Sequence, residues 1–152
     1  MKIVPAESLK DYIGKDLGKG EWLEINQERI NQFADVTEDH QFIHVDPEAA
    51  KPLFGGTIAH GFLTLSLMVK LSQSVEGDVV PEGVKMGMNY GFEKVRFVSP
   101  VRSGKRVRTS TKMKSVDYKD GGRILMCVEH TVEIEGEDKP ALLAEWLTMY
   151  IL

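Results

Sequence analysis

Asp39 and His44, followed sixteen residues after the histidine by His60 and Gly61, are the residues of this sequence best suited to moving protons beside a carbonyl group. A neutral imidazole, with an ordinary pKa near 6.5, both donates and accepts close to neutrality, and a carboxylate accepts. Held together, the two can grip one water molecule and deprotonate it, a form of catalysis typically contributing about 10² to 10⁴ in rate. Their spacing sets a condition. Five residues apart on a regular helix, they would point about 140° from each other, so the chain must bend between them, at Gln41-Phe42. On spacing alone the pair also reads as a turn-capping carboxylate and a satisfied, half-buried ring. Gly61 adds a second component: at the head of a helix, the free amides of the first turn can face a ligand oxygen with the positive end of the helix dipole behind them. A thioester carbonyl placed there would have its developing enolate stabilised by about 3 to 4 kcal/mol. A glycine at this point could equally serve only the turn.

The elements that must position these residues are legible on either side. Asn26 caps a helix in which Ile30, Phe33 and Ala34 follow helical spacing, with Glu28 in the first turn, and this helix delivers the chain to Asp39. Asp46-Pro47 starts a second short helix that Pro52 and Gly55-Gly56 end. Residues 62–75 carry Phe62, Leu63, Leu65, Leu67, Met68, Val69 and Leu71 on nearly every side of a turn, which predicts a helix enclosed by protein. Upstream, residues 6–18 allow only a short helix and Trp22–Ile25 a brief strand. Downstream, four stretches have strand period, near 84–98, 105–118, 123–135 and 141–151, separated by short turns that predict an antiparallel meander. One apolar helix and one sheet with a single apolar face solve each other's burial problem if the sheet wraps around the helix. The fold class is therefore α+β, a hot-dog fold in one domain over residues 1–152, completed by pairing into a homodimer.

Composition narrows the partners. A net charge of −4 argues against nucleic acid. Cys127 is the only cysteine, so no internal disulfide can form, and no apolar run is long enough for a signal peptide or a membrane span. A cytoplasmic protein is the expectation. Lys94, Arg96, Arg102, Lys105, Arg106 and Arg108 concentrate positive charge on an acidic chain; Arg96, Arg102 and Lys105 are candidates to meet the phosphates of coenzyme A, the alternative being solvated strand faces. His130 reads as a core or interface histidine. His40, His44 and His60 lack the acidic partner of the familiar helical zinc motif, so no metal is expected.

The ordered set Phe33-Ala34, Thr37, Asp39, Ile43-His44, Asp46-Pro47, then His60-Gly61-x-Leu63, then Phe97-x-x-Pro100-Val101-x-x-Gly104 resembles the MaoC-like hydratases, including the (R)-specific enoyl-CoA hydratases and the nodulation protein N branch. The resemblance covers about residues 26–108. It implies that Asp39 and His44 are the catalytic pair and that the Gly61 amide binds the thioester oxygen, with Gln41, Phe42 and His60 beside the substrate. The implied reaction adds water to trans-2-enoyl-CoA, giving (R)-3-hydroxyacyl-CoA, with no cofactor beyond coenzyme A or an acyl carrier protein as carrier of the substrate. Rival classes are a hot-dog thioesterase and a non-catalytic acyl-thioester-binding protein of the nodulation protein N type. The sequence departs from the common family pattern at Glu38, at Gln41-Phe42, which stand where Asn-Pro is usual, and at Val69, where some short hydratases have serine.

Overall fold

Alternation over Ile124, Met126, Val128, His130, Val132 and Ile134 makes residues 123–134 the middle of the sheet, and the computed structural model, which describes all 152 residues, places that strand there. In chain order the elements are β1 (Lys2–Val4), a 3₁₀ segment (Ala6–Tyr12), β2 (Asp16–Lys19), β3 (Leu23–Ile25), α1 (Gln27–Thr37), α2 (Phe42–Val45), α3 (Pro47–Phe54), α4 (Gly61–Ser66), α5 (Met68–Ser72), β4 (Val79–Pro81), β5 (Met86–Phe97), β6 (Lys105–Lys119), β7 (Arg123–Ile134) and β8 (Leu142–Ile151). The main sheet is antiparallel and runs β2-β6-β7-β8-β5, with β3 also on β6. β1 and β4 form a separate parallel pair.

The four long strands match the expected stretches, but the connectivity differs from a plain meander. Only β6, β7 and β8 follow one another as neighbours; β5 crosses over to pair with β8 at the far edge. Residues 98–104 are therefore a crossover and not a hairpin turn. The β6–β7 hairpin does close as expected, because Gly121 and Gly122 both take positive φ, 73° and 69°, which other residues rarely adopt.

α4 and α5 form a nearly continuous helix joined at Leu67, whose carbonyl still accepts from Leu71 N at 2.9 Å. Its inner side, Leu63, Met68 and Leu71, packs on Val132, Ile134, Leu142 and Ala144 of the sheet. The expectation of burial all round is corrected here: within one chain the outer side is open, with Phe62 66% and Val69 43% exposed. Pro52 lies inside α3, which continues to Phe54 and ends at Gly55.

Candidate active site

Local signals bring the acid-base residues together. Asn26 Oδ1 accepts from Arg29 N at 3.0 Å and starts α1. Glu38 ends the helix in the left-handed conformation, at φ 59°. The bend therefore begins at Glu38, three residues before the place expected, and continues through Asp39–Gln41; Phe42 is already helical. Asp46 Oδ1 accepts from Glu48 N and Ala49 N at 3.1 and 3.0 Å, fixing the start of α3. His44 is thus carried on a single short turn between two capped helices.

That geometry closes the gap. One ligand atom each of Asp39, His44 and His60 lies within 4.8 Å of the others, and a water making two hydrogen bonds of about 2.8 Å fits between groups at such separations. His44 is buried, and its Nδ1 donates to the Ile58 carbonyl at 2.7 Å. This bond fixes the tautomer: Nε2 carries the lone pair. Burial lowers the His44 pKa, opposed by the Ile58 carbonyl, lowered further by the neighbouring His60 ring and raised by the Asp39 carboxylate. The net direction is down, so the ring is neutral at pH 7. Asp39 stands half-exposed, its Oδ1 receiving the Gln41 main-chain N–H at 3.4 Å.

His60 holds this pair without lining the pocket. It is 3% exposed, its ring stacks on His44 with centroids 3.7 Å apart, and its Nε2 donates to the Asp39 carbonyl at 2.9 Å. Phe33 supports it at 5.0 Å between centroids. Its Nδ1 is buried without a partner. The three ligand atoms are close enough to suggest a metal, yet the residues fit one poorly. A metal lies in the plane of each imidazole that binds it, which two stacked rings cannot both satisfy, and His60 Nε2 is already engaged.

Gly61 is the first residue of α4, and its N–H donates to no group of the chain. Its φ is not positive, so the turn does not require glycine. Space does: a Cβ here would stand 2.8 Å from Phe97 Cδ1. Gly61, His44, Thr64, Phe97, Pro100 and Ala141 are among the residues around a pocket of about 250 Å³. The nucleophile of covalent thioester chemistry is not supplied by Cys127, whose thiol burial pushes up to about 11.

The remaining sequence candidates divide. Phe42 is 43% exposed and outside the pocket lining, and the Gln41 side-chain amide makes no hydrogen bond to Asp39. Lys105, Arg106 and Arg108 pair with Glu137, Glu135 and Glu133. Lys94, Arg96 and Arg102 have no acidic partner, and Arg102 lines a polar cavity of about 530 Å³ with Gly55, Gly56 and Lys105. Arg102 also pairs in an isolated bridge with Ile58, the residue whose carbonyl fixes His44. Sequence reasoning missed Gln27. Its Nε2 donates to the His44 carbonyl at 2.8 Å and its Oε1 accepts from the Thr57 hydroxyl, so one side chain ties α1 to both segments that meet at His44. Its place in the first turn of α1 had suggested nothing beyond helix propensity.

The MaoC-like domain family matches residues 8–137. This chain belongs to that family. Nodulation protein N of Rhizobium leguminosarum bv. viciae is 48% identical over 139 residues, covering 90% of this chain and 85% of the relative. The 3-hydroxyacyl-thioester dehydratase Z of Mycobacterium tuberculosis is 46% identical over 139 residues, covering 91% and 90%. Among solved structures, a monoamine oxidase regulatory protein from Archaeoglobus fulgidus superposes with a TM-score of 0.80 at 24% identity, covering 99% of this chain and 97% of the other. The α+β hot-dog fold of the MaoC-like domain is the architecture of this chain.

Proposed function

We propose that this chain adds water reversibly to a trans-2-enoyl thioester, giving an (R)-3-hydroxyacyl thioester. The observation that carries the reading is the approach of Asp39 and His44 to within bridging distance of one water, beside a pocket headed by the free Gly61 N–H. His44 Nε2 takes a proton from the water as its oxygen attacks C3, while Asp39 accepts a hydrogen bond from the other water hydrogen, which stays on the oxygen, and so holds the nucleophile in line. The proton returns from the pair to C2, so one water adds across the double bond and the protein ends unchanged. The Gly61 amide stabilises the charge that gathers on the thioester oxygen between these events. No cofactor is consumed, because the thioester activates the double bond; coenzyme A or an acyl carrier protein enters only as the carrier, with the unpaired Arg96 and Arg102, and Lys105, as phosphate contacts. The dehydratase name of a 46% identical relative supports this class.

The functional unit is a homodimer of single-domain chains. β5 is a free sheet edge, and Met86, Met88, Tyr90 and Phe92 are exposed on it, near the equally exposed Phe62 and Val69. A second copy would cover that edge and the open side of α4–α5. Crotonyl-CoA tests the reaction: hydration removes the conjugated absorbance without releasing thiol, a thioesterase releases free thiol, and a purely binding protein, the reading that the nodulation protein N relative keeps open, does neither.

A further inference from the structure

The pocket at Gly61 is the first of three cavities along α4–α5, and the second and third share Val69, Asn89 and Trp146 in their linings. Between the α4–α5 helix and the β5–β8 pair, three cavities follow one another in register. The first lies by Gly61 and Thr64 on the helix, Phe97 at the end of β5 and Ala141 just before β8. The second, about 400 Å³, lies by Leu65 and Val69, against Asn89, Phe92 and Trp146. The third, about 360 Å³, lies by Val69 and Gln73, against Gly87, Asn89, Thr148 and Tyr150. The strand ladder runs the same way, with Phe97 opposite Leu142, Phe92 opposite Trp146, and Gly87 opposite Tyr150. From Gly61 to Val69 and Gln73 is eight to twelve residues, about 12 to 18 Å along a helix axis.

The third cavity is apolar in most of its lining, through Met88, Met113, Met126 and Val128, but it carries polar groups with bonds left to make. His130 is 1% exposed; its Nδ1 lies 3.2 Å from Thr109 Oγ1, and the other ring nitrogen has no partner in the chain. The indole Nε1 of Trp146, which lines both the second and third cavities, is buried without an acceptor. Asp78 accepts from Thr111 Oγ1 at 2.9 Å and presents a carboxyl group to the same space. Burial lowers the His130 pKa to about 4, so the ring is neutral, and raises that of Asp78 to about 6. A plain alkyl chain reaching this point would seal the free imidazole nitrogen of His130 away from any partner and leave the indole N–H without one, the arrangement that buried polar groups avoid.

We propose that the three cavities act as one groove, which selects acyl thioesters whose chain bears an uncharged oxygen, a hydroxyl or a ketone, at its distal end, where it meets His130 beside Trp146. This rests on the hydratase reading for the direction of entry, with the thioester at Gly61 and the tail toward Gln73. A crotonyl group ends well short of the far cavity. A terminal carboxylate is rejected by Asp78.

Two measurements test it, using medium-chain trans-2-enoyl-CoA with an ω-hydroxyl, an ω-carboxylate or a methyl end. The first is kcat/KM for hydration. The second is binding of the matching saturated acyl-CoAs, which cannot be hydrated, read by Trp146 fluorescence in a Trp22→Phe background, since these are the chain's two tryptophans. The hydroxyl-ended chain is expected to be favoured about tenfold over the methyl-ended one in both measurements. His130→Phe abolishes that preference, and Asp78→Asn, a milder change, admits the carboxylate-ended chain. Equal or better use of the methyl-ended chain by the wild-type protein, or unchanged selectivity in both variants, overturns the proposal. Tail selectivity in binding with no hydration of any enoyl-CoA would leave the groove standing and remove the hydratase reading; hydration of crotonyl-CoA without tail selectivity would do the reverse.

Discussion

Gly61→Ala separates chemistry from folding more sharply than any other single change. The added methyl would sit 2.8, 3.0 and 3.1 Å from three atoms of the Phe97 ring, where ordinary contact begins near 3.4 Å. Overpacking of this kind typically costs about 1 to 3 kcal/mol. Phe97 is 49% exposed and can swing outward, which puts the clash at the low end, and alanine recovers part of it by its better helix propensity, at most about 1 kcal/mol. The net loss of stability should be about 1 kcal/mol, a fall of roughly 2 to 4 °C in Tm for a chain of this size. Activity should fall far more. With a methyl beside the Gly61 N–H and the Phe97 ring moved from its place at the pocket, the thioester oxygen is held off its donor, a loss of about 10² to 10³ in kcat/KM. The assay is disappearance of the conjugated absorbance of crotonyl-CoA, run beside thermal unfolding of the same samples. A folded variant retaining activity within a few-fold of wild type would refute the assignment of Gly61 as the oxyanion donor.

Asp39→Asn and His44→Ala should each lower kcat by about 10² to 10⁴, and the double variant should be little worse than the poorer single one, because the pair acts on one water; additive losses in steady-state kinetics would show two independent roles. Gln27→Ala strands the His44 carbonyl and the Thr57 hydroxyl, so denaturant unfolding should show a loss of about 1 to 3 kcal/mol, with kcat falling more than KM rises; an unchanged kcat would end the idea of a clamp. The acid limb of the kcat/KM profile should have an apparent pKa below 6.5, since His44 must be neutral and its pKa is lowered by burial; a limb above 6.5 would contradict this. For stability, His130 folds neutral with a pKa near 4 instead of 6.5, contributing about 3 kcal/mol above pH 6.5 that is lost as pH falls toward 4. Asp78, raised from 3.8 to about 6, contributes in the opposite sense, so Asp78→Asn should make the thermal midpoint fall more steeply than wild type between pH 6.5 and 4; parallel curves would refute the offset.

Much of this fold is written in local pattern. The Asn26 and Asp46 caps, the alternation of β7 and the Asp120-Gly121-Gly122 turn each act within a few residues, and each element appears where that chemistry puts it. What the pattern did not carry was anything depending on distant partners. Turn residues at 98–104 signal that a strand ends there, not which neighbour it takes, and β5 left for the far edge of the sheet. The apolar girdle of α4–α5 likewise records that Phe62 and Val69 are suited to burial without saying that the chain's own sheet leaves them exposed. At the site, Asp39, His44 and Gly61 were legible because their types are scarce and their spacing is specific. Gln27 was not, because a glutamine in the first turn of a helix is ordinary until Thr57 and His44 arrive from elsewhere in the chain.

Asp39 and His44, the two groups of the proposed reaction, occupy opposite environments, and their supports explain why. A base that accepts a proton from water must keep its lone pair free and its ring uncharged, which burial and the Ile58 carbonyl secure for His44. A carboxylate that steers the same water must face the space that water enters, which the half-exposed position of Asp39 allows. The two environments meet only because the main chain around them is laced tightly. Ile58 N donates to the Ile43 carbonyl, Ala59 N to Val101, and Ser103 N to Thr57, at 3.0, 2.7 and 2.9 Å. His60 pins the main chain of Asp39 from the other side. The proposed reaction uses two side chains, but what sets their separation is the extended segment Thr57–Ala59 running between α2 and the 101–103 crossover. Displacement of that segment moves His44 against Asp39 directly, and positional errors near 1 Å in such constellations cost about 10² in rate. The cations that would meet a carrier's phosphates, above all Arg102 on the partner side of Ile58, therefore sit where a bound carrier would load the same lacing that sets the acid-base geometry.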